Sequence, residues 1–266
     1  MIKIAINGFG RIGRPAFKIA FEKEEMEIVA INDLADLQTA VHLLKYDSLY
    51  GRYVKEVIAD EEKSEIVVDG TRIKYFSLAE PEKLPWGELK VDVVLECTGI
   101  FQDKKSAGKH LIAGAKKVIL SAPPKDDTPM YLIGVNENEY DFQRDNIISN
   151  ASCTTNCLAP MVKVLDENFG VEKGFMTTTH SYTNDQRVLD VVHEDLRRAR
   201  AAGLNMIPTT TGAARAVTLV IPELKGKRHG LSFRVPTPTV SVCDFTADLA
   251  KEVTAEQVNQ AFKDAA

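Results

Sequence analysis

Cysteine is scarce in this sequence: four thiols, at positions 97, 153, 157 and 243, among 266 residues. They are too few and too scattered for a disulfide framework, which points to a reduced, cytoplasmic protein. Long apolar runs are missing too. None reaches the roughly 18 residues of a membrane span, and "MIKIAINGFG" turns polar at Asn7, too early for the apolar core of a signal peptide. Positive charge is not in excess: 33 Lys plus Arg stand against 38 Asp plus Glu, and the net charge of −5 argues against nucleic-acid binding. Internal repeats, low-complexity tracts and Gly/Ser linkers are absent. What remains is an ordinary globular composition, 44% hydrophobic and 27% charged, long enough for one large or two ordinary domains with a sizeable core.

The first half carries a nucleotide-binding pattern. "KIAINGFGRIG" at 3–13 alternates apolar residues and then runs into glycines, and "RPAFKIAFEKE" carries apolar residues at helical spacing. A strand, a glycine turn and a helix beginning near Arg14 follow, with Pro15 suited to the helix's first turn. Gly8, Gly10 and Gly13 form G-x-G-x-x-G. The first permits a tight turn, the second lets a pyrophosphate approach the backbone, and the third lets helix and strand pack closely. A second strand, "MEIVAIND", ends in Asp33, about 20 residues beyond Gly13, where a carboxylate can accept from ribose hydroxyls and favour NAD over NADP.

Farther on, "VKEVIAD", "SEIVVDG" and "TRIKYFSL" read as short strands, the last two joined by a turn at Asp69-Gly70. "VDVVLECTG" reads as a buried strand, "DKKSAGKHLIAGA" as a helix and "KKVILSAP" as another strand. The alternation implies an α/β fold, a Rossmann-type, doubly wound, mostly parallel sheet with a small antiparallel excursion. The pattern changes near 150, which sets the expected domains at 1–152 and 153–266.

In the second half, "ISNASCTTNCLAP" puts Cys153 where a helix should start. A thiol there feels the positive dipole end and unpaired N–H groups, both favouring thiolate. Three readings compete: a catalytic thiolate, a metal or disulfide pair with Cys157, and an ordinary buried helix face. C-x-x-x-C without a second pair does not match zinc spacing, so no metal is expected; Cys157 is expected to face the core. A thiolate nucleophile needs a base. "KGFMTTTHSYTNDQR" delivers His180 near a strand end, although spacing alone ranks it no higher than His110 or His193.

"INGFGRIGR", "NDL", "HLLKYDS", "SNASCTTNCLAP", "HSYTNDQR", "DLRRARAA", "PTTTGAA" and "RVPTPTVSV" together resemble the phosphorylating glyceraldehyde-3-phosphate dehydrogenases, in order and spacing. The resemblance implies an NAD-binding domain followed by an α+β catalytic domain with a mixed sheet. It implies that Cys153 attacks glyceraldehyde 3-phosphate, that His180 handles the proton, and that inorganic phosphate releases 1,3-bisphosphoglycerate from a thioester. It assigns Thr183 and Arg234 to the substrate phosphate, and Ser152, Thr154, Thr211 and Gly212 to the incoming phosphate, with Arg198 near both. For Arg197 and Arg200 a solvated helix face is expected instead. Arg11 and Ile12 are implied beside the pyrophosphate, Thr98 and Ser121 on the nicotinamide side, and a homotetramer through the loop after His180.

Two departures qualify the resemblance. Val191-Val192 stand where NAD-specific relatives often carry Leu-Pro, so NADP use stays open although Asp33 favours NAD. The chain also stops at "QVNQAFKDAA", before strands, an Asn segment and a helix that family members carry, so it is expected to be an incomplete copy. Two alternatives follow: an erythrose-4-phosphate dehydrogenase, and an NAD-binding fragment without turnover.

Overall fold

The computed structural model describes residues 1–212, 217, 221 and 228–266. They divide into two compact units, Met1–Met130 with Tyr140–Ala151, and Tyr131–Glu139 with Ser152–Ala266.

In the first unit β1 (Ile2–Asn7) runs through the glycine turn into α1 (Gly13–Ala20), and the chain returns as β2 (Met26–Asn32). Helix α2 (Leu37–Lys45) starts at Asp36, whose carboxylate accepts from the Thr39 N–H. A short hairpin, β3 (Tyr46–Asp47) and β4 (Gly51–Arg52), leads into β5 (Val57–Asp60), β6 (Glu65–Val68) and β7 (Thr71–Phe76). Asp69 and Gly70 both have positive φ (45° and 81°), the geometry a two-residue hairpin turn asks of an Asp-Gly pair. β8 (Val93–Glu96), α3 (Lys104–Ala107), α4 (Lys109–Ile112), β9 (Lys117–Leu120) and β10 (Ile147–Ser149) complete the unit.

These strands form one sheet in the order β10-β9-β8-β1-β2-β7-β6-β5. Pairing is parallel from β10 to β7 and antiparallel across β7, β6 and β5. Both faces are covered, as a parallel sheet requires. Ile4 and Ile6 join Phe17 and Ile31 in one cluster, while Ala5 joins Trp86, Val94 and Leu120 in another. Each large side chain so buried contributes about 1.5–3 kcal/mol. The helix expected over 103–115 is two short ones, because the backbone tightens at Gly108, whose N–H reaches the Lys104 carbonyl while both the Leu111 and Ile112 N–H groups reach its own.

In the second unit α5 (Cys153–Phe169) packs on β11 (Val171–Ser181) and β14 (Val242–Leu249). With β12 (Ile207–Thr209) and β13 (Arg228–Val235) these strands form a mixed sheet, ordered β12-β13-β11-β14, in which only β11 and β13 are parallel. Segment Tyr131–Glu139 is tied in by Lys163, whose ammonium donates to the carbonyls of Gly134 and Val135 at 3.1 and 3.0 Å. The stretch 197–200 corrects an expectation: it is a turn, not a helix face. The Asp195 carboxylate accepts from the Arg197 N–H at 2.9 Å, a local bond that competes with helix formation. Arg197 and Arg200 are exposed and pair with Asp195 and Asp190. Among the described residues no helix is long and apolar enough to cross a membrane.

Candidate active site

In the first unit the three glycines have three different reasons. Gly8 has φ +92°, and a Cβ there would stand 2.6 Å from the Thr98 nitrogen, so the turn lies directly against the end of β8. A Cβ on Gly13 would stand 2.1 Å from the Gly8 carbonyl oxygen, which closes helix onto strand. Gly10 is different. A Cβ there would meet nothing within 4 Å among the described residues, so packing does not demand a glycine. The space in front of it is what a pyrophosphate would need. Asp33 braces the turn by accepting from the N–H groups of Phe9 at 2.6 Å and Ala35 at 2.9 Å, and each oxygen keeps a further lone pair for a ribose hydroxyl.

The other residues of this end are also placed. Arg11 pairs with Asp47 and lies over the Tyr50 ring, which ties the glycine turn to the β3–β4 hairpin. Burial alone would raise the Asp47 carboxyl, but N–H groups of Leu49 and Tyr50 and the Arg11 guanidinium hold it down at about 2. Ile12 is exposed at the start of α1. Thr98 donates its N–H and its hydroxyl to Glu96 and accepts from the Ile100 N–H. Ser121 donates its N–H to the Glu96 carbonyl and hydrogen-bonds the Cys97 thiol, which burial pushes up to about 11.

In the second unit Ser152 caps α5, its hydroxyl accepting from the Thr155 N–H at 3.0 Å. Ala151, just before it, is held at φ +57°, a left-handed conformation that aims the chain into the helix start. Cys153 is thus the first helical residue. Its Sγ lies 3.3 Å from His180 Nε2 and 4.0 Å from the Thr154 hydroxyl. The hydrogen bond to His180, opposed by burial and helped by the imidazole charge and by Thr154, lowers the thiol to about 7. The same bond raises His180 above its ordinary value, with the Ser181 carbonyl assisting. His180 Nδ1 lies 2.7 Å from the Ser181 carbonyl, so Nδ1 carries a proton and Nε2 faces the sulfur. Cys157 corrects an expectation: it is exposed, one turn along α5, and touches the Cys243 thiol rather than filling the core.

Register explains what stands beside this pair. On parallel strands His180 is directly opposite Arg234. One Arg234 nitrogen reaches the Ser181 carbonyl at 3.2 Å and the Thr183 hydroxyl at 2.9 Å. Its approach to His180 Nδ1 at 3.3 Å is a meeting of two donors, not a bond. Arg198 donates to the Thr209 hydroxyl at 3.0 Å and to Asp185 at 2.6 Å, and Asp185 also accepts from Thr183. Burial would raise the Asp185 carboxyl, yet Thr183, Arg198 and Arg234 outweigh it and hold it below its usual range. Among the described residues, buried Arg234 Nε has no hydrogen-bond partner. Thr211 is half-buried and Gly212 exposed, shortly after Thr209; Ala213 and Ala214 of the same motif lie outside the described residues.

Sequence reasoning passed over Asp185, Thr209 and Asp47. Each stands inside a quoted motif, and an acid flanked by Thr and Arg was the available signal. Among the described residues no group of His, Cys, Asp and Glu could hold a metal ion.

Known proteins resolve the class. Residues 2–104 match the model of the glyceraldehyde 3-phosphate dehydrogenase NAD binding domain, and residues 152–266 that of the C-terminal domain of the same family. The fold and its glycine turn are accordingly those of an NAD-dependent oxidoreductase. The chain is 58% identical over 266 residues to glyceraldehyde-3-phosphate dehydrogenase 2 of Streptomyces avermitilis, covering all of itself and 79% of that protein. It is 57% identical to the Geobacillus stearothermophilus glyceraldehyde-3-phosphate dehydrogenase, covering 78% of it, and 55% identical to enzyme 2 of Bacillus subtilis, covering 77%. The chain belongs to the glyceraldehyde-3-phosphate dehydrogenase family, and its cofactor is NAD. The erythrose-4-phosphate alternative is not favoured.

Proposed function

We propose that this chain oxidises glyceraldehyde 3-phosphate with inorganic phosphate and NAD to 1,3-bisphosphoglycerate, with Cys153 as nucleophile and His180 as its proton partner. The observation that carries the reading is the 3.3 Å contact between Cys153 Sγ and His180 Nε2 at a helix start. The Cys153 thiolate forms a bond to the aldehyde carbon, and the carbonyl oxygen takes the proton from His180 Nε2, giving a thiohemiacetal. His180 then removes that hydroxyl proton as the carbonyl re-forms, leaving a thioester on Cys153. NAD, when bound, accepts the two electrons and the hydrogen given up by the aldehyde carbon. A phosphate oxygen next bonds to the thioester carbon, the C–S bond breaks, and Cys153 leaves as thiolate.

Two arginines with neighbouring hydroxyls suit the two phosphates: Arg234 with Thr183 for the substrate, and Arg198 near the incoming anion with Ser152, Thr154, Thr211 and Gly212. Asp185 holds the Arg198 guanidinium directly, reaches Arg234 through the Thr183 hydroxyl, and partly offsets both positive charges until an anion arrives. A reducing, cytoplasmic compartment fits four free thiols, and a homotetramer is the assembly the family resemblance supports.

The test is NADH formation from glyceraldehyde 3-phosphate and NAD, with and without phosphate, against Cys153→Ala. Turnover that needs both phosphate and the cysteine is expected. Equal turnover by the alanine variant would overturn the assignment of Cys153. Folded protein that binds NAD without turnover would instead favour the binding-fragment reading.

A further inference from the structure

A row of buried polar side chains crosses the C-terminal edge of the first sheet. In the strand register Asn7 lies directly opposite Asn32 on one side and Glu96 on the other. All three are buried, Glu96 at 2% exposure. Asn32 donates its amide to Asn7 Oδ1 at 2.7 Å and to the Leu78 carbonyl at 3.0 Å, and accepts from the Leu78 N–H at 2.9 Å. Asn7 donates to Glu96 Oε2 at 2.6 Å. His110, with no exposure, stands 3.0 Å from the same oxygen.

Chemistry fixes the direction of this network. Trp86 Nε1 can only donate, and it reaches His110 Nδ1 at 3.0 Å. That nitrogen is therefore the acceptor, the ring is neutral, and Nε2 carries the proton given to Glu96. The 3.4 Å approach of Asn7 Nδ2 to His110 Nε2 joins two donors and is not a bond. Glu96 Oε1 receives the Thr98 N–H at 2.8 Å and the Thr98 hydroxyl. Four donors thus converge on one buried carboxylate, each oxygen taking two. A charge in a core is costly unless so satisfied, and among the described residues Glu96 forms no ion pair with Lys or Arg. Its placement suggests what is gained. Asn7 immediately precedes Gly8, Asn32 immediately precedes Asp33, and Glu96 holds Thr98 two residues on.

We propose that Glu96 is a positioning residue for the NAD site, locking the glycine turn, Asp33 and Thr98 into one prebuilt arrangement before the cofactor arrives. The inference rests on the cofactor reading above and adds the group that sets its geometry. Glu96→Gln keeps the shape but puts an amide NH₂ where an acceptor stood. Whichever way the amide lies, it confronts either the two Thr98 donors or those of Asn7 and His110.

The experiment is calorimetric NAD titration of the wild-type chain and Glu96→Gln, each checked for folding by thermal unfolding, with steady-state kinetics beside it. About tenfold weaker NAD binding is expected for the loss of hydrogen bonds to a charged group. KM for NAD should rise while KM for the aldehyde at saturating NAD holds. An unchanged NAD affinity in a folded but less stable variant would overturn the proposal, leaving Glu96 a purely structural group. No NAD binding by the wild-type chain would overturn the cofactor reading and the proposal with it. Amide hydrogen exchange on the cofactor-free wild-type protein decides the matter even if the variant does not fold. The Thr98 N–H and the single indole N–H, that of Trp86, should exchange slowly without NAD. A Thr98 amide that becomes protected only when NAD is added would overturn prebuilding.

Discussion

His110 and His180 are both buried, at 0% and 8% exposure, and both have each ring nitrogen engaged, yet they have opposite consequences. His110 accepts from Trp86 and donates to Glu96, two partners that hold it neutral inside a core. His180 donates from Nδ1 to the carbonyl of the next residue, Ser181, and turns Nε2 to an exposed thiol at the start of a helix. The first arrangement fixes strand ends in place. The second lets a proton move between sulfur and nitrogen, because their hydrogen bond lowers the thiol and raises the imidazole. Cysteines divide in the same way: burial pushes Cys97 and Cys243 up to about 11, whereas Cys153 sits at about 7. Environment, not residue type, separates scaffold from chemistry here.

The contrast can be attacked from its strongest claim downward. Cys153→Ala should reduce turnover on the order of 10⁴-fold or more, with thermal unfolding unchanged, because it removes the sulfur that lies against His180. Loss of the proton partner in His180→Gln should lower turnover about 10²–10³-fold, whereas His110→Gln should leave the alkylation profile of Cys153 where it was and lower the melting temperature instead. Steady-state assays and alkylation rates on the two histidine variants would show whether the roles are truly separate. Next, Arg234→Leu should raise KM for the aldehyde about 10- to 100-fold, the loss expected when a charged donor to phosphate is removed. The mildest effects concern the glycine turn. Gly13→Ala should cost about 1–3 kcal/mol of stability, since its Cβ would overlap the Gly8 carbonyl. Gly10→Ala should stay within about 0.5 kcal/mol of the parent in unfolding yet weaken NAD binding, as calorimetry would record.

Much of the first unit was legible in the sequence because its signals are local. Alternation along β1, the demand for glycine at 8 and 13, and a strand ending in Asp33 each reside within a few residues. The Asp69-Gly70 turn was readable for the same reason. The split of the 103–115 helix was not, since one glycine among good helix formers looks tolerable until the backbone is seen to tighten at it. The turn at 197–200 was hidden by a run of arginines that suits a helix face, while the deciding contact is the Asp195 side chain on a backbone N–H. Cys153 and His180 are 27 residues apart, and no spacing rule joins a helix start to the end of the next strand; only the family resemblance pointed to the pair. Cys157 misled because a residue one turn after a buried-looking motif usually faces inward, whereas here that position opens outward beside Cys243.

The most direct test is the pH dependence of alkylation at Cys153, located by mass spectrometry. Thiolate reacts and thiol does not, so the rate should rise with pH and reach half its plateau near 7. In His180→Gln the midpoint should climb toward the ordinary range of about 8.5. A wild-type midpoint already in that range, or first labelling at Cys157, would contradict the claim that His180 and the helix start prepare Cys153 for attack.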